Sequence, residues 1–491
     1  MKTGIPNSQR LLLGTITCFF WMMENDRVCG EPSFKDVLIS ADAPVDEQED
    51  ADFPGGNPIE FFDAYSWRLF IALNWPAKEG ARGIPDTTKD ITDVDSPRVW
   101  ETWKSPSGLI PPEKNPTNEL PNWESFDEVP LCPNEPGPAG NVKTLTFSKL
   151  GSVIEDFNQI GDTGFAVGSL VARNRTYIRF EIRMNQKQFE HIRGEKLYLR
   201  KALEDRQAHG PPIVFPNQSI EVKAAWREFK LPEEQGLVNR YYHVSARAFN
   251  PETKSCETKT FGLVGFHIAQ KTARRRQWTW STFEHVDNLS VSAGSPAGVL
   301  PTLQQGTSDN DVTEPDGGIS EHNLPKEDPD PTRVRRFVLN PQLDGLPQSS
   351  TAATNTKWHN DPRIKNSVWA NYQLIIAQWP TQIGQDNGTG SPFPKRNAAN
   401  VTMETYKQLQ QSSCIQCHFP TPLKTDFVWF LSLRAFPLPQ PTLATPTPSP
   451  GILGFFKRLM RLEAASPSPA PPGGKVFLEK LRASATKAQE Q

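Results

Sequence analysis

The sequence has little net charge, few cysteines and no apolar run long enough for a membrane protein with several spans. Its 491 residues contain 53 Lys+Arg and 56 Asp+Glu, which gives a net charge of -3. This balance removes the usual electrostatic reason to expect a nucleic-acid partner. The apolar stretch at residues 11–23 is shorter than the roughly 20 residues that a membrane-spanning helix needs. The composition therefore excludes a multi-span membrane protein and predicts no nucleic-acid binding.

The chain is instead rich in proline and in large aromatic side chains. Its 46 prolines concentrate at residues 105–142, at 288–357 and after 437, so much of the chain is predicted to be loop or linker. Apolar residues make up only 36% of the sequence. The 13 Trp and 28 Phe are still enough to build a core, because each aromatic side chain buries about 150–250 Å². A wholly disordered chain is therefore excluded.

The N-terminal segment is typical of an exported protein. Lys2 and Arg10 precede the apolar stretch, and small residues suited to cleavage follow at 28–30. We therefore expect a signal peptide at residues 1–30 and a periplasmic location. Residues 31–57 are acidic and poor in aromatics, which predicts a flexible lead-in.

Hydrophobic periodicity predicts an α+β fold. Residues 59–75 have apolar side chains at three- and four-residue spacing, which predicts a helix that Pro76 ends, and residues 187–208 have the pattern of a helical insertion. Alternation of apolar and charged residues predicts strands at 177–184, 219–226, 240–249, 261–269 and 278–283. Because the charges fall on one side of these strands, we expect an antiparallel β-sandwich-like domain with one wet side, within residues 58–287. An open barrel is the alternative.

One short motif carries recognisable chemistry. Cys414, Cys417 and His418 form a C-x-x-C-H sequence, the signature of covalent c-type haem attachment. Two thiols on one helical turn reach the two vinyl groups of a haem, and the imidazole that follows them lies under the iron as its proximal ligand. The motif occurs once, so we expect one haem c. The alternatives are a zinc site without its second ligand pair, a thioredoxin-like pair without its βαβ context, and a strained disulfide.

The sixth iron ligand has to come from upstream of the motif. Met460 is the only methionine after the motif, and no histidine follows it. His285 ends an aromatic strand beside Glu284 and Asp287, and neighbouring carboxylates suit a distal ligand or a catalytic proton-transfer group. His359 is the second candidate for a distal ligand.

The other upstream candidates are weaker. His243 and His267 lie inside predicted strands, where a histidine satisfied by the sheet is the simpler interpretation. His322 falls in a segment without periodicity, and Met184 and Met403 are weaker sources of an axial sulfur.

Around the motif, the C-terminal half of the chain divides into three parts. Residues 288–357 form a low-complexity insert, and residues 358–436 form a small helical haem module that includes a predicted helix at 368–379. Residues 437–491 form a Pro-rich tail. Its amphipathic segment at 451–465 is a candidate for peripheral membrane contact.

Several longer segments resemble a group of bacterial cytochrome c family proteins. These segments are FFDAYSWRLFIALNWP, SIEVKAAWREF, FGLVGFHIAQKT, WTWSTFEHVDN, ETYKQLQQSSCIQCH and DFVWFLSLRA. The resemblance spans about residues 59–435 apart from the variable inserts. It implies an exported haem protein whose haem is held by the C-x-x-C-H motif. It assigns no substrate and no role to Glu284 and His285.

The remaining cysteines predict a disulfide. Removal of the signal peptide takes Cys18 and Cys29 with it and leaves Cys132 and Cys256 outside the motif. In an oxidising periplasm these two are expected to pair. Such a bond closes a long loop and contributes up to about 4–5 kcal/mol to stability. Two separate free thiols are the alternative.

Three functional hypotheses follow from these features. The first is a periplasmic monohaem c-type cytochrome that exchanges electrons with a redox partner protein or a small oxidant or reductant. The second is a haem-dependent, peroxidase-like oxidoreductase with an open distal side or with His285 as acid/base, tuned by Glu284. The third is a haem-containing sensor or ligand-binding module. The size of the β-rich part exceeds what a simple carrier of one haem needs, which favours the enzyme slightly.

Overall fold

The structure is a computed structural model. It describes residues 37–46, 58–106, 120, 122–125, 143–144, 170–250, 255–291, 299–305, 333–334, 350–381, 392–394, 398–404, 413–419, 421 and 423–435. The predicted signal peptide at 1–30 and the tail at 437–491, with its segment 451–465, lie outside these residues. So do most of the lead-in and most of the low-complexity insert, and the predictions made for these segments are not tested by the structure.

The helices include both of those predicted in the first half of the chain. The described α-helices are α1 (Pro58–Leu73), α2 (Gln186–Gly194), α3 (Arg200–His209), α4 (Gln235–Val238), α5 (Ser350–His359), α6 (Pro362–Lys365), α7 (Cys414–His418) and α8 (Trp429–Arg434). Helix α1 confirms the prediction at 59–75, and α2 and α3 confirm the helical insertion. All but two residues of α1 are buried, including the charged residues Asp63 and Arg68. Among the described residues, no helix is both long and apolar enough to cross a membrane.

The strands form one large sheet and one short pair. They are β1 (Lys143–Thr144), β2 (Arg179–Met184), β3 (Ile220–Glu228), β4 (His243–Asn250), β5 (Ser255–Gln270), β6 (Thr279–His285), β7 (Gln304–Gln305), β8 (Arg333–Val334), β9 (Tyr372–Pro380) and β10 (Pro392–Phe393). Strands β7 and β8 pair only with each other, and the other eight form the large sheet. The predicted strands correspond to β2, β3, β4, β5 and β6. An α+β fold with antiparallel sheet is therefore confirmed.

The long strand β5 is the centre of the sheet. Its first half pairs with β4 and its second half with β6, while β3 pairs with it from Phe261 to Gln270. Strand β2 extends the sheet beyond β3, and β9 and then β10 extend it beyond β6. Every pairing in this sheet is antiparallel except that of the two-residue strand β1 with β4.

Helix α1 covers one face of the sheet. Phe70 stacks on Phe283 of β6 with ring centroids 4.3 Å apart. Tyr65 donates a hydrogen bond from its hydroxyl to the side-chain oxygen of Gln270 at 2.6 Å. Because side chains alternate across a strand, these contacts define the α1 face. The opposite face carries the neighbouring residues of β5 and β6.

Eight of the described strands form one open sheet, and β7 and β8 form only a two-residue pair, so the described residues do not show the two packed sheets of the predicted sandwich. The expectation of a wet side also fails at β2, where Glu181 and Arg183 are buried. Arg183 pairs with Glu181 at 2.7 Å and donates to the carbonyl of Trp103 at 2.9 Å. Partners within the protein replace water for these charges, so alternation of charge did not indicate exposure here.

The helix predicted at 368–379 is wrong. A 3₁₀ turn occupies Val368–Asn371, and the chain then runs as strand β9 beside β6. The apolar residues of this segment fit the helical period as well as the two-residue period of a strand. Tyr372, Leu374 and Ile376 follow the strand period, and all three are buried. Pairing with the edge of β6 decides between the two, because tertiary context overrides local helical spacing.

Candidate functional site

The C-x-x-C-H motif forms the single helical turn α7, held against β9. Ser413 is the N-cap residue, a role in which serine is favoured because its hydroxyl accepts from a free backbone N–H. The buried side-chain oxygen of Gln378 accepts from the backbone N–H of Cys414 at 3.0 Å and from the hydroxyl of Ser413 at 3.2 Å. Ile415 points into the core with 1% exposure. The turn is therefore fixed on the sheet by its first two residues.

His418 has a defined orientation and tautomer. Its Nδ1 lies 2.9 Å from the carbonyl oxygen of Phe427. Because a carbonyl oxygen only accepts, Nδ1 carries the hydrogen and Nε2 keeps its lone pair. The ring packs against Trp280 of β6 with centroids 4.4 Å apart. Burial lowers the pKa of His418 from 6.5 to about 4, so the imidazole is neutral at pH 7.

The two thiols of the motif are free and half-buried. Burial, together with the charge of Glu404 and the neighbouring Cys417, raises the pKa of Cys414 well above 9.0. A dithiol that exchanges disulfides needs a lowered thiol pKa. The direction of this shift therefore argues against the thioredoxin-like alternative.

The turn that follows the motif is strained and tied to the sheet. Lys424, Asp426 and Phe427 have φ angles of 49°, 48° and 72°, a region that costs a residue with a side chain about 1–2 kcal/mol. Asp426 forms a buried ion pair with Lys271, just past the end of β5, and accepts from the N–H of Phe215 at 2.8 Å. These contacts hold the carbonyl of Phe427 in place under His418.

The face of the sheet opposite α1 supplies the other half of the site. His267 on β5 pairs with Lys223 of β3 and with Thr282 of β6. Residues paired across strands share a face, so these three side chains lie together. Trp280 is two residues from Thr282 on β6 and lies on the same face. The ring of Trp280 thus joins His418 to this patch.

Residues 398–404 lie on the same face as a buried segment. Asn400 donates from its side chain to the hydroxyl of Thr282 at 2.9 Å and to the carbonyl of Phe283 at 3.0 Å. Gly265 permits this close approach, because a Cβ atom there would lie 2.2 Å from the hydroxyl oxygen of Thr402. The segment is therefore locked against β5 and β6.

This segment brings Glu404 to the patch. One carboxylate oxygen of Glu404 lies 3.4 Å from Nε2 of His267, and the other accepts from the N–H of Asn400 at 2.6 Å. Burial raises the pKa of Glu404 from 4.5 to about 7, and burial lowers the pKa of Lys223 from 10.5 to about 8. His267 thus lies between an acidic and a basic group, and burial disfavours the charged form of both.

His267 lies on this face beside Lys223 and Glu404. Its side chain keeps 21% exposure, and its Nε2 atom is enclosed without a hydrogen-bond partner. Burial lowers its pKa well below 6.5, and the nearby Lys223 and His418 lower it further. His267 is therefore a neutral imidazole whose Nε2 atom makes no hydrogen bond and lies 3.4 Å from the carboxylate of Glu404.

His285 lies elsewhere, in a different packing environment. It is fully buried and stacks on Tyr241 with ring centroids 3.7 Å apart. Its Nε2 donates to the carbonyl of Arg240 at 3.1 Å, and its Nδ1 accepts from the N–H of Asp287 at 3.1 Å. Both ring nitrogens are used by the backbone, which does not favour the predicted roles of distal ligand and catalytic acid/base.

His359 and the two methionines are also engaged away from the motif. His359 lies 2.7 Å through Nε2 from the carbonyl of Tyr372 and packs edge-on against Trp67. Met184 and Met403 are both fully buried among apolar side chains. None of these contacts places the three residues beside α7.

Glu284 has a positioning role in the structure. It is fully buried on β6, and its carboxylate accepts from the N–H of Val401 at 2.9 Å. Its negative charge also contributes to the raised pKa of Glu404. The contact helps to hold the segment that carries Glu404, and it differs from the catalytic tuning that the sequence predicts.

His267, Glu404 and Lys223 were not predicted as site residues. Lys223 and His267 have the ordinary appearance of strand residues, and nothing in the residues next to Glu404 marks it as a site residue. If β3 and β5 are known to be neighbours, their register pairs Lys223 directly with His267. The approach of Glu404 depends on tertiary contacts of residues 398–404 and could not be read from local sequence.

Two further predictions lie wholly or partly outside the described residues. The sequence also predicts a helix before the motif, capped by Asn400 or Thr402 and with Met403, Tyr406 and Leu409 along one side. Residues 401–403 form a turn, and residues 405–412 lie outside the described residues. Cys256 lies on β5, but Cys132 is outside the described residues, so their pairing stays a prediction. Across the described ranges, no group of three or more His, Cys, Asp or Glu side chains is arranged to hold a bare metal ion.

Comparison with known proteins gives no match to this chain: no family model, no curated protein and no solved structure is similar to it. The structure itself shows an α+β protein with an open antiparallel sheet, and the C-x-x-C-H turn packs against one face of that sheet. Any function has to be argued from these residues.

Proposed function

We propose that the chain is an exported, periplasmic c-type cytochrome that carries one covalent haem and transfers electrons. Cys414 and Cys417 would hold the haem through thioether bonds, and His418 would ligate its iron. A haem bound there supplies a one-electron Fe(III)/Fe(II) couple. A redox partner protein or a small oxidant or reductant would exchange electrons with it.

One observation carries this proposal. The hydrogen bond from Nδ1 of His418 to the carbonyl of Phe427 leaves Nε2 as the nitrogen that can bind a metal. Ligating histidines are typically oriented in this way by a backbone carbonyl or a carboxylate. This orientation occurs one residue after a free cysteine, in the order that covalent haem attachment requires.

The surrounding residues fit a haem as well. Both thiols are free and partly accessible, and His267 presents an unused Nε2 atom on the sheet below. Trp280 and Phe427 supply apolar surface next to His418. These side chains would exclude water from the haem and so help to set its reduction potential.

The test is to produce the full chain in a bacterium that attaches haem to c-type cytochromes. We expect a pyridine-haemochrome spectrum of the c type in the periplasmic fraction, and haem that stays on the polypeptide after denaturation. The matched control is the double variant C414S/C417S, which should fold but release its haem under the same conditions. Wild-type chain without covalent haem would overturn the proposal.

A haem-dependent oxidoreductase is the second candidate, favoured by the pair of His267 and Glu404. These side chains are 21% and 16% exposed and lie 3.4 Å apart. An imidazole beside a carboxylate is an arrangement that can move a proton. Peroxide-dependent turnover of a general electron donor by the purified haem protein would support this function, and its absence would favour electron transfer.

A further inference from the structure

We propose that His267 is the second axial ligand of the haem iron, opposite His418. The inference rests on the proposed haem attachment and deepens it by naming the residue that completes the iron site. It replaces His285 and His359, whose sequence positions made them the first candidates.

The position of His267 is the first argument. His267 pairs directly with Thr282, and Trp280 is the next residue of β6 on that face. Diagonal neighbours of this kind on adjacent strands lie within reach of one another through long or aromatic side chains. The ring of Trp280 also contacts the ring of His418 at 4.4 Å. The two imidazoles therefore approach the same patch, one from the sheet and one from α7.

The availability of the nitrogen is the second argument. Nε2 of His267 is enclosed and makes no hydrogen bond, and a carboxylate oxygen of Glu404 lies 3.4 Å from it. An unsatisfied buried nitrogen is unfavourable by about 1–3 kcal/mol, so it needs an explanation. A bond to iron provides one, because the metal takes the lone pair that no protein donor uses.

The surroundings of three other described histidines are the third argument. His285 uses both ring nitrogens for backbone groups. His359 lies on α5, with a ring nitrogen 2.7 Å from the carbonyl of Tyr372, and His243 begins β4, where it pairs with Gly262. None of the three is a cross-strand neighbour of Trp280, whereas His267 pairs with Thr282 on the face that carries Trp280.

The consequence is an iron with both axial positions taken by protein. Such an iron has no open position for peroxide or another small molecule, which favours electron transfer over the oxidoreductase. This assignment also explains the large sheet. Its central strand β5 would hold His267 in a fixed position relative to the helical turn that carries the haem.

The experiment compares spectra of the full haem-bearing chain with those of H267A, with H359A as the matched control. The wild-type and H359A proteins should be low-spin in the ferric state and should not bind CO in the ferrous state. H267A should become high-spin and CO-reactive, and added imidazole should restore the low-spin spectrum. If H267A fails to accumulate, H267M should give a six-coordinate spectrum that differs from that of the wild type.

Two results would overturn the assignment while leaving haem attachment intact. One is a wild-type protein with covalent haem that is high-spin and binds CO. The other is an H267A or H267M protein whose spectrum matches the wild type. Wild-type chain with no covalent haem is a different result, because it would overturn the proposed function and the assignment together.

Discussion

Nδ1 of His418 lies 2.9 Å from the carbonyl oxygen of Phe427, a residue held in a left-handed conformation with a φ angle of 72°. The hydrogen bond that orients His418 therefore depends on a strained turn. The ion pair of Asp426 with Lys271 fastens that turn to the sheet. The stability of the turn and the orientation of the His418 ring are linked.

The first prediction concerns this ion pair. Asp426→Asn leaves the ammonium group of Lys271 buried without its partner carboxylate, since both side chains are only 1% exposed. We expect the free energy of unfolding to fall by about 3–5 kcal/mol. Urea unfolding of the full chain measures this loss.

A matched control is the exposed pair of Lys201 and Asp205, whose side chains are 81% and 63% exposed. Asp205→Asn should lower the unfolding free energy by less than about 1 kcal/mol, because solvent screens such pairs. The double variant K271M/D426L should lose less stability than either single variant, since no buried charge is left alone. Equal losses for D426N and D205N would contradict the assigned role of the buried pair.

The second prediction concerns the close approach at Gly265. In Gly265→Ala the added Cβ would lie 2.2 Å from the hydroxyl oxygen of Thr402 and 3.1 Å from the side-chain oxygen of Asn400. The segment that carries Glu404 must shift, and we expect a loss of about 1–3 kcal/mol, as in other overpacked sites. The thermal midpoint and urea unfolding measure the effect.

Gly194, the last residue of α2, provides the control for that substitution. A Cβ atom there meets no atom within 4 Å, so Gly194→Ala should be neutral or slightly stabilising because alanine favours helix. Should G265A prove as stable as G194A, residues 398–404 do not pack against β5 as described.

The third prediction is a loss of stability in acid. Burial lowers the pKa of His285 from 6.5 to about 3, against the smaller opposing effects of Asp287 and of the carbonyl of Arg240. Between pH 6.5 and pH 3, His285 is protonated in the unfolded chain but neutral in the folded chain. The stabilisation is therefore complete above pH 6.5 and falls toward pH 3, by about 1.4 kcal/mol per pH unit for this group.

Unfolding free energies at a series of pH values between 7.5 and 4.5 test this behaviour. His285→Gln should reduce the dependence on pH without abolishing it, because burial also lowers the pKa of His359 and His191. His209→Gln changes an exposed side chain at the end of α3 and should leave the dependence as it is. An H285Q protein that loses stability with the wild-type slope would refute the role given to His285.

The fourth prediction concerns the remaining cysteines. If Cys132 and Cys256 are paired, a peptide map made without reductant should contain one linked peptide. The double variant C132S/C256S should lose about 4–5 kcal/mol of stability in the chain-entropy model. Free alkylation of both thiols in the untreated protein would exclude the bond.

Much of the fold could be predicted from the sequence, because strong local patterns agree with it. The apolar residues of α1 and the alternation in β3 and β5 give the right element at nearly the right position. The region 368–379 was misread because its residues suit both a helix and a strand, and the open edge of β6 decides the outcome. The second sheet of a sandwich was inferred from charge alternation, although Glu181 and Arg183 satisfy each other inside the protein.

The motif half of the candidate site could be read directly, since Cys414, Cys417 and His418 are adjacent in sequence. The other half could not. His267 and Glu404 are far apart along the chain, and they meet because Gly265 leaves room for a segment that Asn400 fixes to β6. The charged neighbours of His285 drew attention to it, but its nitrogens are occupied by backbone groups that have no signature in the sequence.

The central claim is that this chain carries a covalent haem at Cys414 and Cys417. The most direct measurement is the mass of the intact, denatured polypeptide purified from cells that mature c-type cytochromes. The account predicts the mass of the polypeptide plus one haem, and the loss of that increment in C414S/C417S. A wild-type chain with the mass of the unmodified polypeptide alone would contradict it.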